Sequence, residues 1–416
     1  MTKENIESYS QMNDLLDFIL KELEKSKIPK GTKAKIKAEI MELKSFLLDA
    51  RPARIAIVGR RGAGKSSLIN AIFGEERAAV GDVKPETAKG KWHSYTSDSG
   101  TLEILDTRGL GEGEASSQDH SEHTPLEELQ NSIKDKCPDA ILFLTKAKEV
   151  SSRIDEDTQE LLALKNSIKD IHEYNIPIIG VVTQVDELSP KSVDQPPFNN
   201  DVKQNNINEA ITVLSTKLEE AVSTPVNVIP VCSYFEMEEN QIVYDIRWNI
   251  DELLNYLIEQ LPNEAQVVLA KLAKVKAVQK KLSRKIGKLV SSMTSAVGAN
   301  PIPIADLPII TGLQMAMISS IAIISGRKLK KKQLMEFLGA LGVNLASGFA
   351  LRQAARKLVK LIPGGGSVIS GGIAFAGTYA LSEAAIAYFI DESPLESVKS
   401  IYNDTFKRKR KETDEE

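Results

Sequence analysis

A chain of 416 residues, 42% hydrophobic and 26% charged, is ordinary in composition for a folded protein and, at roughly 150 residues per domain, long enough for two or three domains with a buried core in each. Cys137 and Cys232 are its two cysteines; their spacing excludes a metal or redox motif and fits a reducing compartment. The net charge is −4, yet residues 263–390 carry 17 Lys and Arg against the four acids Glu264, Asp306, Glu336 and Glu383, an asymmetry that suits an anionic partner, either a membrane surface or nucleic acid.

The opening stretch MTKENIESYSQMNDLLDFILKELEKSKIPK scatters charge through its apolar positions, so a secretory signal is not expected, and Thr2 stands where N-myristoylation needs glycine. A cytosolic start follows as the expectation. Leu15, Leu16, Ile19, Leu20 and Leu23, then Ile40, Leu43 and Leu47, recur at helical spacing and predict two amphipathic helices in an N-terminal segment, 1–50, broken near SKIPKGTK.

Over 51–262 the pattern changes. The runs RIAIV, TLEIL, AILFLT, IPIIGVVT and PVNVIPV read as buried strands, and helical patterns lie around 66–73, 126–134, 156–174, 205–221 and 250–261. Such alternation predicts a mostly parallel sheet with helices on both faces. A third region, 263–400, opens with a long Lys-rich helix expected over 263–295 and continues through three weakly polar blocks, 289–326, 334–351 and 361–390. The last stretch, 401–416, ends in KRKRKETDEE and is expected to fray.

Chemistry enters at IVGRRGAGKSSLINAIFG. Gly59, Arg60, Arg61, Gly62, Ala63, Gly64, Lys65 and Ser66 fit GxxxxGK[ST] between a strand and a helix, with Ser67 next in line. Glycines let backbone N–H groups converge on phosphate oxygens, and the helix N-terminus adds its positive end. Lys65 is expected to reach the β- and γ-phosphates and Ser66 to bind Mg2+.

Three companions follow in order. Asp106-Thr-Arg-Gly109 closes the strand TLEILD, placing a carboxylate near the Mg2+ and its waters and a glycine N–H toward the γ-phosphate. In VKPETAKG, the Thr87 hydroxyl can complete the Mg2+ shell. Thr183-Gln184-Val-Asp186 ends IPIIGVVT; Asp186 can accept from guanine N1–H and the N2 amine, a donor pair adenine lacks. After VNVIPV, Cys232 and Ser233 offer a backbone N–H to guanine O6.

With these boxes in place, residues 54–261 resemble the translation-factor-related GTPases, and among them the Era-like branch. The resemblance implies an α/β P-loop GTPase domain flanked by all-α N-terminal and C-terminal helical regions, GTP or GDP with Mg2+ as ligands, and a GTP-hydrolysing switch in which Lys65, Thr87 and Gly109 serve catalysis. There are departures. Gln184 stands for the usual Lys and Thr183 for the usual Asn. Gly62 replaces the Asn of potassium-activated relatives, and Leu110 occupies the place of a water-positioning Gln, which implies slow turnover and water oriented by another element, a second protomer or an activating protein.

Arg60 and Arg61 read either as an arginine finger or as solvated and salt-bridged loop residues. His120 and His123 in HSEH read as ordinary loop residues, since no further metal ligand stands near.

In the C-terminal region, 307–326 and 361–382 carry no charged side chain, and each is long enough to span about 30 Å of hydrocarbon. The prolines of NPIPIADLP, the acid Asp306 and the glycines 364–366, 371 and 372 suit instead a soluble or peripheral bundle with close helix contacts. GANPIPIADLPIITGLQMAMI and LIPGGGSVISGGIAFAGTYALSEAAIAYF resemble a small helical domain of unknown function that follows the GTPase domain in some bacterial Era-like proteins, which implies membrane association. The layout also resembles that of the immunity-related GTPases of vertebrates.

The combined expectation is a cytoplasmic GTPase, peripheral at the inner face of an anionic membrane, with a multi-pass protein as the alternative. A nucleotide-holding scaffold with negligible hydrolysis and an RNA-binding ribosome-assembly factor are the other readings. Lys-rich helices with few aromatics give phosphate contacts without stacking platforms, so nucleic acid is disfavoured.

Overall fold

The structure, a computed structural model, describes residues 3–78, 91–97, 100–107, 125–152, 154–239, 241–299, 307–326, 331–343, 358 and 370–415. The chain forms two compact units, one of Pro52–Ala273 and one of Met1–Arg51 with Lys274–Glu416.

The first unit is built on β1 (Ala53–Val58), β2 (Trp92–Ser97), β3 (Gly100–Asp106), β4 (Ala140–Lys146), β5 (Ile178–Thr183) and β6 (Asn227–Pro230), in the order β2-β3-β1-β4-β5-β6. Every pair is parallel except β2 with β3. The five runs expected as strands are strands. Their apolar residues, among them Val58, Leu105, Phe143 and Val182, fill a continuous core, as strands covered on both faces require. β2 was not anticipated: its WHSYTS alternates intermediate and exposed positions at the sheet edge, so it has no buried run to read. A hairpin of β7 (Phe235–Glu238) and β8 (Gln241–Asp245) escaped for the same reason, β8 being exposed throughout.

The helices of this unit are α3 (Lys65–Phe73), α4 (Pro125–Asp135), α5 (Ile154–His172), α6 (Asp201–Val222), α7 (Ile250–Gln260) and α8 (Asn263–Ala273). The expected boundary at 262 lies instead after Ala273. The reason is α8, which packs on the sheet: a Cβ on Gly100 of β3 would lie 3.2 Å from Val268 and 3.6 Å from Leu272. The helix expected over 263–295 is accordingly two helices, interrupted at Lys274, whose φ is +54°.

The second unit joins α1 (Lys3–Lys25) and α2 (Lys30–Leu47) with α9 (Lys276–Gly298), α10 (Leu307–Ile324), α11 (Lys331–Ala340), α12 (Gly371–Phe389) and α13 (Leu395–Glu415). The N-terminal segment is therefore part of the C-terminal helical unit, not a separate piece. Gly312 of α10 sits so near α1 that a Cβ there would meet Ile19 at 2.7 Å, and Lys285 of α9 lies over the Phe46 ring at 4.9 Å. Small residues bring α9 against α12: a Cβ on Gly287 would lie 2.6 Å from Ser382 Oγ, and one on Gly298 2.9 Å from Ala374 Cβ. Some polar groups between the helices are paired, with the Thr294 hydroxyl 3.0 Å from that of Thr378 and Gln314 Nε2 donating to Thr378 at 3.0 Å.

α10 is long and apolar enough to cross a membrane, with a mean hydropathy of 1.9, and 83% of it is buried within its unit. Its length and composition therefore fit a core helix of a bundle as well as a span. Residues 361–369 of the second apolar block lie outside the described residues. The expected frayed end, 401–416, is helical as far as Glu415. Val398, Tyr402 and Thr405 are buried, burial pushes the Tyr402 phenol up to about 12, and Lys409 lies over the Tyr379 ring at 5.1 Å. An amphipathic face, hidden in sequence by the charge run, holds the helix down.

Candidate nucleotide site

Three loops and the end of β3 lie at the carboxyl ends of the parallel strands, where ligands of open α/β sheets bind. Ile57 of β1 is in register with Asp106 of β3, and Lys146 of β4 with Thr183 of β5, so the loop after β1, the end of β3 and the loop after β5 open on one edge. The loop after β6 joins them, with Val231 N donating to Val182 O at 2.8 Å.

The loop after β1 makes a turn closed by Ala63 N donating to Arg60 O at 3.1 Å. Gly59 has φ +154°, and a Cβ there would lie 2.5 Å from Leu144 O. Gly64, at φ 87°, precedes α3 and leaves it without a side-chain cap. The first-turn N–H groups of α3 thus face the loop without a side chain in the way, which suits an anion. Gly59→Ala is expected to cost about 2 kcal/mol or more, because a backbone oxygen cannot yield as a flexible side chain does; thermal denaturation checks it.

Lys65 is 7% exposed. Its ammonium donates to Gly59 O and, at 3.2 Å, to Arg60 O, so the loop's own backbone holds the charge over the cradle. Ser66 and Ser67 are half-buried in the first turn of α3. Asp106 is 6% exposed at the end of β3, and Thr107 hydrogen-bonds through its hydroxyl to Ile57 O at 3.1 Å, which ties the segment carrying the carboxylate to β1. Thr87, Gly109, Leu110, His120 and His123 lie outside the described residues.

Arg60 is a salt-bridge partner. Its guanidinium meets both Asp157 oxygens, at 2.8 and 2.9 Å, and Glu156 at 2.9 Å, pinning the loop to α5. The Asp157 hydrogen bond raises the Arg60 pKa, while burial outweighs Arg60 and pushes the Asp157 carboxyl upward. Arg61 is exposed, and Ala63 is buried. Lys146, not singled out in the sequence, sits under the loop: a Cβ on Gly62 would meet its Cε and Nζ at 3.3 Å.

The recognition box is stapled to the phosphate loop by the residues that depart from the usual pattern. Thr183, 2% exposed, donates through its hydroxyl to Ala63 O at 2.9 Å. Gln184 adopts φ 57° and donates through Nε2 to Gly62 O at 3.1 Å. Asp186 follows in a single helical turn, Val185–Glu187. Of the pair offered to guanine O6, Cys232 already donates its N–H to Trp248 O at 3.1 Å, so the expectation narrows to the N–H of Ser233; the buried Ser233 Oγ has no hydrogen-bond partner among the described residues. Burial above all pushes the Cys232 thiol up, and the Asp186 carboxylate adds to it.

Residues 54–184 match the family model described as a 50S ribosome-binding GTPase. The tRNA modification GTPase MnmE of Campylobacter jejuni subsp. doylei is 36% identical over 110 residues, covering 26% of this chain and 24% of that protein. GTPase Era of Lactobacillus delbrueckii subsp. bulgaricus is 28% identical over 140 residues, covering 33% and 41%. The chain thus spans about a quarter to two fifths of the length of these curated relatives. Among solved structures, Toc33 from Arabidopsis thaliana in complex with GDP and Mg2+ aligns at 18% identity and a TM-score of 0.34, covering 61% of this chain and 95% of that one. Era in complex with MgGDPNP and a 16S ribosomal RNA segment aligns at 18% and 0.33, covering 59% and 68%. What the sequence comparisons support is a GTPase domain of the Era-like class, carried by residues 54–184.

Proposed function

We propose that this protein binds GTP and hydrolyses it to GDP and phosphate, acting as a switch. The observation that carries the reading is the convergence, at one sheet edge, of an uncapped helix start with a buried Lys65, the Asp106 carboxylate and Asp186. Lys65 and the α3 N-terminus would hold the phosphates, and Asp186 would select guanine. Glycines 59, 62 and 64 let the loop run close against Leu144, Lys146 and Thr183, and the donor set of Ser66 with Asp106, a hydroxyl and a carboxylate, suits a hard divalent ion. Mg2+ would be held by Ser66 and, through water, by Asp106, with Thr87 completing the shell, and would neutralise charge on the phosphate oxygens. Slow turnover follows from Leu110, with the water oriented by an activating protein or a second copy.

The switch would act at an anionic membrane surface. The Lys and Arg excess over 263–390 and the apolar α10 favour this. The names of the relatives, a tRNA modification GTPase and a 50S ribosome-binding family, favour an RNA-linked role as the second reading. Flotation of the full chain with vesicles containing phosphatidylserine separates them. More protein is expected to float with a non-hydrolysable GTP analogue than with GDP; equal flotation in both states would overturn the nucleotide-controlled switch, and absent flotation in both would overturn the membrane reading and favour RNA.

A further inference from the structure

We propose that Lys203 is the positioning residue for base recognition, fastening the segment that carries Asp186 and linking it to the segment that carries Ser233. The proposal rests on the GTP-binding reading above and deepens it, because the recognition box has Gln184 where a lysine is usual.

Lys203 lies in the first turn of α6. Asn200 caps that helix by accepting from Lys203 N at 3.1 Å, and this fixes where the side chain begins. The residue shares the inward face of α6 with Ile207, Ala210 and Leu214 and is 0% exposed. An ammonium so placed is costly unless its donors are met. Here they reach Asp186 O at 2.6 Å and Val193 O at 2.5 Å, and the charge lies 4.9 Å from the Phe198 ring centre. Burial lowers its pKa, against the pull of the Asp186 and Asp194 carboxylates. For stability alone, an apolar side chain on this face would do as well or better. What the ammonium adds is a fixed position for the main chain at Asp186.

The anchorage continues through a chain of contacts. Phe198 meets Trp248 edge to face, with centroids 5.4 Å apart. Trp248 exchanges two backbone hydrogen bonds with Cys232, at 3.1 and 2.9 Å. Asp186, Lys203, Phe198, Trp248 and Cys232 therefore join the two segments that would read opposite parts of guanine. Between Asp186 and α6 the chain runs without a regular helix or strand beyond its opening turn, so the ammonium is a cross-link where local structure supplies little.

Lys203→Met keeps the stem and removes the charge. Calorimetric titration of the full-length protein with GDP, inosine diphosphate and ADP reads the effect, with thermal melting to check folding. Inosine lacks the 2-amino group, so the ratio of GDP to inosine diphosphate affinity reports the second Asp186 contact. The natural chain is expected to prefer GDP by about tenfold or more. In Lys203→Met, GDP affinity is expected to fall about tenfold or more and the ratio to approach one, with kcat at saturating GTP changed far less than KM. Should Lys203→Met fail to fold, Phe198→Leu decides, with the same narrowing expected in smaller measure. An unchanged ratio in the folded variant, or an equal loss for both nucleotides, would overturn the proposal and leave Lys203 as a loop anchor. Failure of the unsubstituted protein to prefer GDP over ADP would instead sink the GTP reading itself.

Discussion

Lys65→Ala is expected to weaken binding of a GTP analogue by about a hundredfold or more while leaving the fold nearly as stable. The ammonium is buried at the start of α3, and its partners in the structure include the carbonyls of Gly59 and Arg60. In water-poor surroundings, hydrogen bonds from a charged donor to phosphate oxygens contribute about 1.5–3 kcal/mol each, so losing two such bonds costs about two orders of magnitude or more. Removing a buried charge also removes its desolvation cost, which offsets the lost carbonyl contacts in the unliganded fold. Binding followed by fluorescence of a labelled nucleotide, with a thermal melt alongside, checks both halves. A loss of affinity that tracks a large fall in Tm would mean that Lys65 serves folding instead.

Asp186→Asn is expected to exchange the base preferred. The carboxylate can accept from both guanine N1–H and the N2 amine; an asparagine offers one acceptor and one donor group, which leaves the amine facing a donor. A charge-assisted pair is lost and a donor clash gained, so GDP affinity should fall by roughly a hundredfold. Xanthine bears a carbonyl in place of that amine and should bind the variant better than the natural chain. Competition between GDP and xanthosine diphosphate measures this. Parallel loss of both nucleotides would remove Asp186 from base recognition.

Both residues were legible in the sequence because their spacing is set by covalent chain geometry: a strand end, a glycine-rich turn and a helix start must follow one another within a few residues. The same holds for β1 and β3 to β6, whose β-branched runs are buried on both faces. β2 escaped because an edge strand of Trp, His, Ser, Tyr and Thr has no such run. The α8–α9 junction escaped because helical spacing continues through Lys274, and only the positive φ there reveals the break. The tail escaped because the charges of KRKRKETDEE conceal the face that seats Val398, Tyr402 and Thr405.

Long-range contacts were harder still. The pairing of Arg60 with Asp157 joins residues far apart in sequence, and no local pattern announces the backbone pairing of Cys232 with Trp248. Lys203 did leave a signal. It occupies the position that an apolar residue would take on the face of Ile207, Ala210 and Leu214, and a charge in that register marks a buried group with fixed partners.

The site is proposed to turn over GTP. Multiple-turnover phosphate release by the full chain with Mg2+, supplied with GTP and separately with ATP and compared with Lys65→Ala, tests it most directly. Slow but sustained release from GTP is expected, well above both the ATP reaction and the variant. Release from GTP no faster than from Lys65→Ala would contradict it and leave a scaffold that holds nucleotide without hydrolysing it.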